Sequence, residues 1–121
     1  MTIVLPVPPS LNRYWRNIRG RVVLSSEGKA YKRKVEDLFA EATNVGKTVR
    51  GVPKAPVKLW VDIYRPRKSG DLDNYLKALL DSLNGLAYED DRQIIMITAR
   101  RFDDKDNPRA EVRLEYGLEN G

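Results

Sequence analysis

The chain has 121 residues, a formal charge of +5 and a pI near 9.6. That length suits one compact domain over residues 1–121 and is too short for two separate cores. It has no cysteine and no histidine, which excludes a disulfide framework, a zinc site of the usual kind, and Ser-His-Asp or Cys-His chemistry. A bound metal would have to be held by oxygen, which points to magnesium or manganese. No apolar run approaches the roughly 20 residues that span a bilayer. The first residues carry no signal-peptide pattern, so the expected location is the cytoplasm.

Charge is uneven. Residues 1–50 hold ten Lys and Arg against four acids, so the rest of the chain is close to neutral or slightly acidic. A basic half facing a local acidic cluster suits a phosphate-rich ligand steered towards metal ions. The plainer alternative is that the charge only aids solubility.

In chain order, Thr2–Leu5 reads as a short strand closed by Pro6, Pro8 and Pro9. Asn12 to Arg21 mixes arginines with Tyr14, Trp15 and Ile18, and Gly20 can turn a hairpin into Val22-Val23-Leu24. Ser25 or Ser26 caps a helix in which Tyr31, Val35, Leu38, Phe39 and Ala42 recur at helical spacing; this helix is expected to fray near Asn44–Gly46. Val57, Leu59, Val61 and Ile63 alternate with polar or amphipathic residues, a half-buried strand ended by Pro66. A second helix runs from about Asp71 to Asn84, with Leu72, Leu76, Leu79, Leu80 and Leu83 on one stripe and Gly85 at its end. Ile94–Ala99 and Ala110–Tyr116 read as two strands, expected to pair as a hairpin. The implied fold is α+β: a small mixed sheet covered by two helices in one domain.

Two constellations carry possible chemistry. The first is Gly70-Asp71-Leu72-Asp73-Asn74 with Lys77, followed by Glu89-Asp90-Asp91. Asp71 falls at a loop-to-helix junction. Asp73, Lys77 and Asp81 follow one another at i, i+4 and i+8 along one helix edge, with Asn74 close by. The later acidic trio can return a carboxylate to the same place. Carboxylates crowded in a basic chain suit a magnesium ion that keeps positions open for a phosphate oxygen and a water. Lys77 would then either neutralise developing charge or orient the water. The bland reading makes Asp71 an N-cap, Asp73–Lys77 an ion pair worth about 0.3–0.5 kcal/mol, and the trio a polar turn. The second constellation is Asn12-Arg13-Tyr14-Trp15-Arg16 with Arg19 and Arg21. Its arginines suit phosphates, and Tyr14 or Trp15 suits an exposed base; alternatively an aromatic packs inward and the arginines are merely solvated. Lys32-Arg33-Lys34 reads either as a further DNA contact or as a solvated helix face.

These pieces together resemble the RusA family of Holliday-junction resolvases. The resemblance rests on Leu5-Pro6-Val7-Pro8-Pro9-Ser10, Asn12-Arg13-Tyr14-Trp15-Arg16, Arg19-Gly20-Arg21, Ser26-Glu27-Gly28 with Ala30-Tyr31, Asp71-Leu72-Asp73-Asn74 with Lys77, and Asp90-Asp91 with Gln93. It covers nearly the whole chain, and in phage-associated relatives it implies a prophage connection. It implies a homodimer that binds four-way DNA junctions and makes paired magnesium-dependent nicks. The residues it implies are Asp71, Asp73 and Asp91 as metal-binding catalytic carboxylates, Lys77 as the catalytic lysine, and Asp90 as a further ligand. Asn12, Arg13, Tyr14, Arg16, Arg19, Arg21, Lys68 and Asn74 are the implied DNA contacts. The family often has a basic residue directly before the first aspartate, whereas this chain has Gly70, with Arg67 or Lys68 as possible substitutes. The rival expectations are a less selective nuclease for branched or flap DNA and a catalytically silent junction-binding protein.

Overall fold

The computed structural model describes residues 1–43, 52–68 and 70–117. The expected fraying near Asn44–Gly46 lies outside them. The chain forms β1 (Thr2–Leu5), α1 (Leu11–Tyr14), β2 (Trp15–Ile18), β3 (Arg21–Leu24), α2 (Ser26–Thr43), β4 (Val57–Arg65), α3 (Leu72–Leu83), a 3-10 turn (Asp91–Gln93), β5 (Ile94–Asp103) and β6 (Arg109–Tyr116). The main sheet has the order β1-β6-β4-β5, and β2 and β3 form a separate two-stranded ribbon. This is the expected α+β architecture with a mixed sheet, to which the structure adds the one-turn helix α1.

Strict alternation explains why β4 is central. Val57, Leu59, Val61 and Ile63 are fully buried on one face, and β4 pairs on one side with β6 and on the other with β5. Ala110, Val112 and Leu114 of β6 and Ile3 and Leu5 of β1 continue the same core face. From α2, Tyr31, Val35 and Phe39 pack onto it, as the helical spacing predicts.

The expected β5–β6 hairpin does not form, because β4 lies between the two strands. β4 is parallel to β5 and antiparallel to β6. The connection from β5 to β6 therefore passes over the end of β4, where the Asp104 amide donates to the Arg65 carbonyl at 2.8 Å. The reason is burial. An alternating strand with four fully buried residues gains most from the interior of the sheet, while β5, with Ile95 and Ile97 exposed, can remain at an edge.

In α3 the buried face is rotated from the leucine stripe. Tyr75, Ala78, Leu79, Ser82 and Leu83 are buried, whereas Leu72, Leu76 and Leu80 are half-buried at the margin. The Ser82 hydroxyl is accommodated because it donates to the Leu79 carbonyl at 2.6 Å. At the other helix, Ser25 rather than Ser26 provides the cap, its hydroxyl accepting from the Gly28 amide at 2.9 Å.

Candidate active site

The end of β4 sets the entry to α3. Arg65 is buried, with its side chain 8% exposed, and its guanidinium pairs with Asp103 at 2.6 Å. The same guanidinium donates to the Gly70 carbonyl at 3.0 Å. Gly70 has φ +89°, and a Cβ there would meet the Tyr75 hydroxyl at 2.9 Å and its ring at 3.0 Å. The basic residue that the family resemblance leads one to expect here would meet the Tyr75 ring. Of the two candidates to substitute for it, Arg67 lines a groove of about 670 Å³ with Arg13, Lys34, Gly70 and Tyr75, and Lys68 is exposed on the loop.

Asp71 stands at the N-cap position of α3, but its carboxylate makes no cap hydrogen bond. Its carbonyl instead accepts from Asn74 and Tyr75 at 3.1 and 3.2 Å, leaving the side chain exposed. Asp73, in the first turn, lies 3.5 Å from the Lys77 ammonium, and both side chains are largely exposed. Asn74 is half-buried beside them.

The acidic trio is divided by a capping box. Asp90 Oδ1 accepts from the Arg92 amide at 2.9 Å, and Oδ2 pairs with the Arg92 guanidinium at 3.1 Å. These bonds, the backbone one foremost, hold the Asp90 carboxyl below the usual carboxylate range. The Gln93 side chain accepts from the Asp90 amide at 3.0 Å and donates to the Pro53 and Ala55 carbonyls. Asp90 therefore caps the turn, and Asp91 is the member of the trio that lines the hollow beside Lys77. Lys77, Asp91 and Asp81 line one hollow of about 390 Å³ with Leu11, Trp15, Leu80 and Asn84.

Asp71 and Asp73 do not line that hollow. Among the described residues, no three Asp, Glu, His or Cys side chains converge as a metal cage. The donor chemistry nonetheless suits a hard cation, since carboxylates are the anionic donors near neutral pH and neither thiolate nor imidazole competes.

Tyr14 differs from the expectation of a DNA contact. It is fully buried, its hydroxyl donates to Asp81 Oδ2 at 2.5 Å, and burial, with Asp81 next, pushes its pKa far up. Its carbonyl accepts from the Ser25 amide at 3.0 Å, so one residue ties α1, the start of α2 and α3 together. Lys32, also a candidate DNA contact, instead donates to the Asp81 carbonyl at 3.0 Å at the end of α3. Arg33 and Lys34 remain exposed on α2. Helical spacing places Asp81 beside Lys77, but no local pattern announces its partner 67 residues away.

Five of the other expected DNA contacts lie on or beside the ribbon. Asn12, Arg13, Arg16, Arg19 and Arg21 are exposed. Arg13 is committed to Glu27 at 2.6 Å. The ribbon reverses through Arg19 and Gly20, with φ of 52° and 79°, the two-residue turn that matches strand twist.

A family profile, Endodeoxyribonuclease RusA, matches residues 6–115. The crossover junction endodeoxyribonuclease RusA of Shigella sonnei (strain Ss046) is 38% identical over 97 residues, 78% of this chain and 76% of its own. The protein of that name from Escherichia coli (strain K12) has the same identity and coverage. The crossover junction endodeoxyribonuclease of Enterobacteria phage 82 is 38% identical over 96 residues, 77% of this chain and 75% of its own. The chain belongs to the RusA family of endodeoxyribonucleases.

Proposed function

We propose that this protein resolves four-way DNA junctions by paired, magnesium-dependent nicks, acting as a homodimer. The observation that carries this is the hollow joining Lys77 to Asp91 in a chain whose relatives are named crossover junction endodeoxyribonucleases. The exposed Arg16, Arg19 and Arg21 of the neighbouring ribbon supply the cationic surface a polyanion needs.

In this reading Asp71, Asp73 and Asp91 would hold the cation, Asp71 and Asp73 approaching from outside the hollow that Asp91 lines. Magnesium, when bound, would polarise a phosphodiester oxygen and lower the pKa of an attacking water. Asn12, Arg13, Arg16, Arg19 and Arg21, with Lys68 and Asn74, contact the DNA. Lys77, now paired with Asp73, places its ammonium beside the phosphate and stabilises charge that develops there. Attack in line with the leaving 3′ oxygen leaves a 5′-phosphate and a 3′-hydroxyl. A dimer with two-fold symmetry presents two such sites to the two opposed strands of an approximately two-fold junction. Asp90, committed to Arg92, holds the turn that presents Asp91 rather than acting as a ligand itself.

The test compares cleavage of a mobile four-way junction, a flap and a linear duplex at matched salt, with and without magnesium, mapping incisions on all four strands. Symmetric nicks confined to the junction and to magnesium support the proposal. Equal rates on all three substrates point to a less selective nuclease. An Asp73→Asn protein should keep junction affinity and lose incision; activity indifferent to magnesium would refute the metal assignment.

A further inference from the structure

A second hollow lies against the one that holds Lys77 and Asp91. It has a volume of about 450 Å³ and is lined by Leu11, Asn12, Trp15, Arg16, Asn17 and Val22. Leu11 and Trp15 line both hollows, so a single wall separates them. Trp15 is half-buried, and the Tyr14 ring meets it edge-on at 5.0 Å and 80°, which holds the indole in place before any ligand arrives. Val22 is 66% exposed, an apolar side chain left in water at the mouth.

The polar groups here are of a particular kind. Asn17 Oδ1 accepts from the Gly20 amide at 3.0 Å within the ribbon turn, which leaves the Asn17 amino group as a donor. Asn12 is exposed and offers both a donor and an acceptor. Arg16 is exposed and supplies a cation at the rim. A phosphate alone would make no use of Leu11, Trp15 and Val22. A nucleobase uses every wall: flat apolar surfaces for its ring, amides for its edge, and a guanidinium for the phosphate beside it.

We infer that this hollow takes one nucleobase of the junction, unstacked from its neighbour, next to the phosphate that is cut at the Lys77–Asp91 hollow. The inference rests on the junction-nuclease reading and extends it to a specificity subsite. Stacking is already interrupted at a branch point, so taking a base out of the stack costs less there than inside a duplex. The subsite thus favours junctions over duplex. Through Asn12 and Asn17 it also sets which base is preferred beside the incision.

The experiment uses the full chain without metal, bound to synthetic junctions that carry 5-iodouracil at each nucleotide flanking the branch point in turn. Long-wavelength irradiation should cross-link one such nucleotide to the peptide containing Trp15. Val22→Asp, a change at an exposed position, should abolish that cross-link while the protein stays folded. Junction binding without a cross-link in that peptide from any position would overturn the subsite. A parent protein that binds no junction fails on the earlier reading and takes the subsite with it. With magnesium, permuting the base at the cross-linked nucleotide should change the incision rate by about 10-fold, the discrimination one amide–base contact provides. Asn12→Ala should flatten that spread; an unchanged spread would overturn the role assigned to the amides.

Discussion

Replacing Asp103 by asparagine should loosen the entry to the acidic helix. The substitution keeps the shape of the side chain but removes the charge that faces the buried Arg65, whose Nε and terminal nitrogen both lie on Asp103 Oδ1 at 2.7 and 2.6 Å. Breaking a fully buried ion pair costs about 3–5 kcal/mol, because the remaining charge has no partner. Asp103 is 38% exposed, so water can replace part of what is lost, and an effect of about 2 kcal/mol is expected. For 121 residues the unfolding entropy is roughly 250 cal/mol/K, which converts this into a fall in Tm of about 8 °C. Since the same guanidinium holds the Gly70 carbonyl, nicking should fall as well, and a displacement of about 1 Å at a reacting group can cost about 100-fold. The assay is thermal unfolding followed by circular dichroism, with junction cleavage on the same samples. Asp62→Asn, which removes the partner of the exposed Arg100 on the same sheet, is the control and should leave Tm unchanged. If Asp103→Asn unfolds within about 2 °C of the parent, a shift too small for a buried pair, Arg65–Asp103 does not anchor the loop and the reasoning fails.

Tyr14→Phe removes the hydroxyl that Asp81 accepts; a lost hydrogen bond to a charged group should cost about 1.5–3 kcal/mol in urea unfolding, and an unchanged midpoint would refute the tie between α1 and α3. Gly70→Arg should destabilise by about 1 kcal/mol or more because an L residue is strained at that φ; adding Tyr75→Leu should recover the part due to the ring, and full additivity in unfolding would show that the ring is not the obstacle. Tyr14, Tyr31 and Tyr88 all have pKa values raised above the ordinary 10.0, chiefly by burial. Folding keeps these protons on when the unfolded chain would release them. Their contribution is therefore complete below about pH 10 and is lost above it, at up to about 1.4 kcal/mol per pH unit for each tyrosine. Urea midpoints measured from about pH 9 to about pH 11 should fall, and a flat profile would refute the buried, neutral state of these phenols.

Much of this protein is written in local patterns. Alternation marks β4 and β6, and the 3.6-residue period marks α2 and α3 together with the relation of Asp73 to Lys77, because each of these is decided within a few neighbouring residues. The motifs from Leu5 to Gln93 carry the family, since they record residue types at positions rather than contacts. Other features needed the folded chain. That β4 separates β5 from β6 follows from competition among strands for the interior of one sheet, and no single strand contains that information. Asp90 and Asp91 are neighbours with the same side chain, and the Arg92 and Gln93 bonds single out Asp90 as the cap. Tyr14 and Lys32 look like DNA contacts in a basic stretch. They are drawn instead to Asp81, because satisfying a buried hydroxyl and the carbonyls at a helix end depends on groups brought together from far along the chain.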